Sequence, residues 1–133
     1  MPELTDADLN RLIAEKVMGW KVEAYASTRG VRTQYYHSVY GSAYLSRPLD
    51  VEDWGPTHSY DDAGAALARL MKHEIEVSTL YNEDSHLWTV NILPVRKPWW
   101  PMAIGLASEL PKALTIAMLE LTRLRGEWDE DDG

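Results

Sequence analysis

The segment from Ile75 to Ile92 constrains the fold more than any other part of the chain. Ile75, Val77, Thr79 and Tyr81 alternate with polar or outward residues, Asn82-Glu83-Asp84-Ser85 makes a turn, and Trp88, Val90 and Ile92 alternate back. A period of two on both sides of a short polar turn predicts a β-hairpin with one apolar face. Such a face is stable only when another layer covers it. The rest of the chain must therefore supply helices or a second sheet.

Three segments have the 3.6-residue period that such a cover needs. The first is predicted over Thr5–Met18, with Leu9, Leu12, Ile13 and Val17 on one stripe. Thr5 and Asp8 stand at capping-box spacing, Leu4 can staple onto Leu9, and Gly19 is placed as a stop. The second starts at a Ser59 cap, carries Asp61 and Asp62 in its first turn, and runs to about His73 on an Ala63, Ala66, Leu67, Leu70, Met71 stripe. The third begins near Ser108, has Pro111 in its first turn, and ends at Gly126. On it Leu110, Ala113, Leu114, Ala117, Met118 and Leu121 face one way, whereas Ile116 and Leu119 point roughly the opposite way.

Between the first two helices, Trp20–Ala26 alternates as a strand, Arg29-Gly30 is a turn, and a second strand lies within Val31–Leu45. Pro48–Pro56 reads as loop, and Pro94, Pro98 and Pro101 break up the segment before the third helix. The order helix, strands, helix, hairpin, helix predicts an α+β fold. Its centre is an antiparallel sheet of about four strands sandwiched by helices. Residues 1–126 form one domain in this reading and 127–133 a solvated acidic tail.

Composition removes several functions. The 133 residues contain no cysteine, which excludes disulfide staples, thiolate metal sites and thiol catalysis. Four histidines are present without a ligand-spaced pair, so no metal is expected. There is no P-loop, Gly-x-Gly-x-x-Gly or Gly-x-Ser-x-Gly, so no cofactor is expected and the chain reads as a non-enzyme. No apolar run has membrane-spanning length, and the acidic N-terminus is unlike a signal peptide. A cytoplasmic location and no membrane partner are expected.

The net charge of −8 disfavours general nucleic-acid binding. Yet no Asp or Glu occurs between Ala24 and Leu49, where Arg29, Arg32, His37 and Arg47 lie. Tyr36, Tyr40 and Tyr44 fall in the same stretch at spacings of four, which share a face in either a strand or a helix. With Arg29, Arg32 and Arg47 they make a candidate site for a small anionic ligand of nucleotide type: aromatic faces stack on bases and guanidinium groups hold phosphate. A half-exposed strand whose tyrosines pack on their neighbours is the plainer reading.

A second acid-free stretch carries Arg96, Trp99 and Trp100. With Ile116 and Leu119 they form the candidate surface for a protein partner or a homodimer. Structural alternatives are an aromatic clasp for the two tryptophans and scattered surface positions for Ile116 and Leu119.

Several segments in order resemble the phage ABA-sandwich domain family. They are Gly19-Trp20-Lys21-Val22 after an apolar helix, Trp54-Gly55-Pro56-Thr57-His58-Ser59-Tyr60-Asp61-Asp62-Ala63 leading into an Ala-rich helix, the hairpin around Trp88, and Ala113-Leu114-Thr115-Ile116-Ala117 in the last helix. The resemblance implies a phage or prophage origin and a sheet between helical layers, and it brings no established catalytic residues. The chain departs from the pattern at Tyr35–Tyr44 and Pro98–Pro101. Three functions follow as expectations: a non-enzymatic counter-defence protein that sequesters the anionic ligand, an acidic inhibitor or nucleic-acid mimic that blocks a host defence complex, and, least supported, a hydrolase using Asp61, His58 or Tyr60.

Overall fold

The computed structural model describes residues 4–28, 30–37, 45, 47–71, 74–95 and 102–132. Helix α1 spans Asp6–Lys16. Its capping box is formed: the Asp8 N–H donates to Thr5 Oγ1 at 3.2 Å, and the Thr5 N–H donates to Asp8 Oδ2 at 3.1 Å. Leu9, Ile13 and Ala14 are its buried positions. Gly19 follows with φ +75°, the left-handed conformation that lets the chain turn into a strand.

Strands β1 (Trp20–Ser27) and β2 (Gly30–His37) form an antiparallel hairpin, with Val22 opposite Tyr35 and Tyr25 opposite Arg32. Only its base is buried. Trp20 and Tyr35 lie in the core with their rings 5.8 Å apart, and Trp20 meets the edge of Trp54 at 4.8 Å. Ala24, Ala26, Val31 and Thr33 are exposed, so the far half of the hairpin stands out from the body.

The stretch read as loop contains a third strand, β3 (Leu49–Asp50), which pairs Leu49 with Tyr35 and Asp50 with Gln34. Two residues carry no readable period; the pairing is decided by β2. A single 3-10 turn, Val51–Asp53, follows.

Helix α2 spans Tyr60–Leu70, with the Asp62 N–H donating to Ser59 Oγ. It stops at Leu70, short of the expected end near His73, and positions 72 and 73 lie outside the described residues. Strands β4 (Ile75–Asn82) and β5 (Leu87–Pro94) are the predicted hairpin, with Val77 opposite Ile92. Asn82 Oδ1 closes its turn by accepting from the Asp84 and Ser85 N–H groups.

The segment interrupted by prolines also holds a strand. β6 (Ala103–Ala107) pairs with β5 and turns Ala103, Gly105 and Ala107 inward and Ile104 and Leu106 outward. The small residues face in because α3 lies on them. A β-carbon at Gly105 would sit 1.9 Å from the Ala113 carbonyl oxygen and 2.6 Å from the Ala117 nitrogen.

Helix α3 spans Leu110–Asp132. It runs through Gly126 and takes in most of the segment expected to be a solvated tail. A mid-helix glycine costs only about 1 kcal/mol, and no proline follows to enforce a stop.

The fold is α+β, with helices packed on antiparallel sheet. The strands divide into two three-stranded sheets, β1-β2-β3 and β4-β5-β6, because β3 and β6 each add one to a hairpin. α3 covers the inner face of the second sheet, α1 and α2 pack on α3, and β1 packs on α1. One core joins Ile13, Trp20, Tyr35 and Trp54 to Val90, Ile92, Ala117, Met118 and Leu121.

Candidate functional site

The pleat sorts the first sheet into two faces. Trp20, Val22, Tyr35 and Leu49 turn toward the core, which puts Lys21, Glu23 and Tyr25 of β1, Arg32, Gln34 and Tyr36 of β2, and Asp50 of β3 on the outer face. Arg32 and Tyr36, two of the predicted ligand residues, therefore do share a face. Arg32 Nη1 donates to Asp50 Oδ2 at 3.3 Å, and Gln34 Nε2 donates to Asp50 Oδ1 at 2.8 Å. The Arg32 charge is thus balanced within the sheet.

Beside this network opens a cleft of about 290 Å³, lined by Gln34, Arg47, Pro48, Leu49, Asp50 and Asp53. Arg47 and Asp53 share it without pairing. Among the described residues neither has a hydrogen-bond or ion-pair partner. The cleft therefore presents one uncommitted cation and one uncommitted carboxylate, with the Pro48 ring as its apolar surface.

Its carboxylate side is held by the body of the protein. Trp54, which follows Asp53, is buried, and its Nε1–H donates to the Asn10 carbonyl oxygen at 2.9 Å. The Thr57 N–H donates to Asn10 Oδ1 at 3.0 Å, and the Gly55 N–H to Asp62 Oδ2 at 2.9 Å.

Arg29, Tyr40 and Tyr44 lie outside the described residues, as do Arg96, Trp99 and Trp100. Ile116 and Leu119 do not form an outward patch: both are half-buried and packed against the core, because α1 and α2 lie on the side of α3 away from the sheet. Leu119 also lines an apolar groove between α1 and α3 with Leu12, Lys16, Thr122 and Arg123. Outward apolar positions on the second sheet are Leu80, Ile104 and Leu106, which are about half exposed or more.

The hydrolase candidates separate. His58 and Tyr60 line a second cleft of about 320 Å³ with Trp88, Ser108 and Glu109, whereas Asp61 is exposed in the first turn of α2 and lies outside it. His58 Nε2 is 3.1 Å from Asp6 Oδ2, and Asp6 Oδ1 is 2.9 Å from Lys112 Nζ. These contacts tie the starts of α1, α2 and α3 together. The His58 side chain is 63 % exposed, so nothing there excludes the water that would screen a charge developing in a reaction. Among the described residues no group of three or more acidic or histidine side chains is arranged to hold a metal ion. No described helix is long and apolar enough to cross a membrane.

Sequence reasoning missed Gln34, Asp50 and Asp53. The signal for the two acids was present: they are among the first carboxylates after the acid-free stretch that ends at Leu49. Asp6, Glu109 and Lys112 gave no signal, since their meeting depends on how three helix starts converge.

No protein-family description, no curated protein and no solved structure matches the chain.

Proposed function

We propose that this protein is a non-enzymatic binding protein that holds a small anionic, nucleotide-type ligand in the cleft beside the outer face of its first sheet. The observation that carries the proposal is the uncommitted Arg47 and the uncommitted Asp53 lining one cleft. A guanidinium takes a phosphate group in a bidentate geometry, and a carboxylate takes N–H donors of a base. Arg32 is spent on Asp50, which moves the anion contact from the wider Arg/Tyr set to Arg47. In the setting that the family resemblance implies, the role is a phage or prophage product that sequesters a host signalling nucleotide. The acidic-mimic reading has less to draw on, because Asp6, Asp8 and Asp62 are engaged in bonds within the chain.

The test is native mass spectrometry of protein purified from a bacterial host, followed by calorimetry with mononucleotides at near-millimolar concentration. A retained adduct or a binding heat that disappears in Arg47→Ala is expected. No adduct, and no heat with any nucleotide, would refute the proposal.

A further inference from the structure

We infer that the ligand of this cleft is a guanine mononucleotide, an inference that rests on the binding role proposed above. The cleft is asymmetric in its hydrogen-bonding chemistry. Arg47 is its one uncommitted cation among the described residues, next to Pro48 in the lining. Its uncommitted anion is Asp53, whose carboxylate has no donor when ionised. Gln34 gives one Nε2 hydrogen to Asp50 and keeps the other, together with its amide oxygen. Asp50 has both oxygens engaged, one by Gln34 and one by Arg32.

A ligand that satisfies this set is anionic at one end and presents adjacent donors at the other. Guanine does so: its N1–H and N2–H₂ groups lie side by side on one edge and meet both oxygens of a carboxylate. Adenine and cytosine each place a ring nitrogen lone pair next to the amino group, so one carboxylate oxygen would face a lone pair. Uracil has a single N–H between two carbonyls. Reading a free base by hydrogen bonds to this edge is the usual way a pocket selects it. Pro48 supplies an apolar surface for the base plane, and Arg47 takes the phosphate.

Size limits the ligand further. A cleft of about 290 Å³ is at the lower end of small-molecule sites, about 300–1,000 Å³, and has room for one nucleotide unit and not for two or for a strand. A free guanidino acid such as arginine carries the same two chemistries, an anion and a paired donor edge, but has no ring to lay against Pro48.

The experiment is calorimetry of the full chain with GMP, AMP, CMP and arginine, on wild type, Asp53→Asn and Arg47→Ala. Both substituted residues are exposed, and thermal unfolding by circular dichroism checks that each variant is folded. GMP is expected to bind about 10–100-fold more tightly than AMP or CMP, the range set by charge-assisted hydrogen bonds. Asp53→Asn should erase that preference by weakening GMP and strengthening AMP and CMP, because the amide keeps one acceptor for the amino group and gains a donor for the ring nitrogen beside it. Arg47→Ala should weaken all three nucleotides alike. Equal binding of GMP and AMP, both lost in Arg47→Ala, would overturn the guanine assignment and keep the nucleotide-binding role. Arginine binding that depends on Asp53, without GMP binding, would overturn the guanine assignment and the nucleotide class together. Absence of heat with every nucleotide would overturn the role itself.

Discussion

A β-carbon added at Gly105 meets the backbone of α3, and backbone has no rotamer to give way. The new atom would lie 1.9 Å from the Ala113 carbonyl oxygen, 2.6 Å from the Ala117 nitrogen and 3.0 Å from the Ala113 carbonyl carbon. Opening the shortest of these to 3.0 Å requires α3 to retreat by about 1 Å over β6. That retreat loosens a helix whose buried residues Ala113, Ala117, Met118 and Leu121 are at the centre of the core. Overpacking typically costs about 1–3 kcal/mol, and here, where only backbone can yield, about 3–5 kcal/mol. Alanine returns about 0.4–1 kcal/mol by restricting the unfolded chain. The net for Gly105→Ala is a loss of about 2–4 kcal/mol. For a chain of 133 residues one kcal/mol moves the Tm by about 3–4 °C, so the Tm should fall by about 7–15 °C. Gly64 is the control. It lies within α2 with nothing within 4 Å of its added β-carbon, and Gly64→Ala should raise stability by about 0.5–1 kcal/mol. Thermal and urea unfolding followed by circular dichroism measure both. A Gly105→Ala protein as stable as wild type would show that α3 is not seated on β6 as described, and the reasoning would fail.

Four further outcomes follow from other contacts in the fold. The Tyr35 hydroxyl is fully buried and has no partner among the described residues, so Tyr35→Phe should be neutral or stabilising by up to about 1–2 kcal/mol; a clear loss in urea unfolding would contradict this. Burial pushes the Tyr35 hydroxyl above the usual tyrosine range, so its contribution is complete below about pH 10 and is lost as pH rises through the higher folded value; Tyr35→Phe should remove that part of the alkaline loss of Tm. Asn10→Ala leaves the buried Thr57 N–H without its acceptor and should cost about 1–3 kcal/mol in the same unfolding assay, whereas Asn10→Asp, which keeps an acceptor, should cost less. The hydrogen bond from the Thr5 N–H holds the Asp8 carboxyl below its usual range, so this stabilisation is present above about pH 4 and is lost as pH falls through the lower folded value; Asp8→Ala should lower the Tm at pH 7, and the gap to wild type should close toward pH 2.

Local chemistry made much of the fold legible. The Thr5–Asp8 capping box, the left-handed Gly19, the Ser59 cap and the Asn82 turn each act within a few residues, so the pattern alone places them. The β4–β5 hairpin was legible because one of its faces is apolar at period two. β6 was not, because its hydropathy is inverted: the small residues Ala103, Gly105 and Ala107 face in, and Ile104 and Leu106 face out. Only the nearness of the α3 backbone makes that arrangement favourable. Ile116 and Leu119 were misplaced for a related reason. A helix read by itself has one buried side, whereas α3 is packed by the sheet on one side and by α1 and α2 on the other.

The candidate site divides along the same line. Sequence alone determined that Arg32 and Tyr36 fall on one side of a strand, that acids are missing between Ala24 and Leu49, and that no cysteine or nucleotide-loop chemistry is available, since these depend on residue type and short-range period. Tertiary structure decided that Arg32 is balanced by Asp50 from eighteen residues away, and that Arg47 and Asp53 face one cleft without touching. Those facts depend on a two-residue strand finding its partner on β2 and on Trp54 anchoring to Asn10. Pairings between distant segments are set by the packing of the whole core, and no local periodicity encodes them.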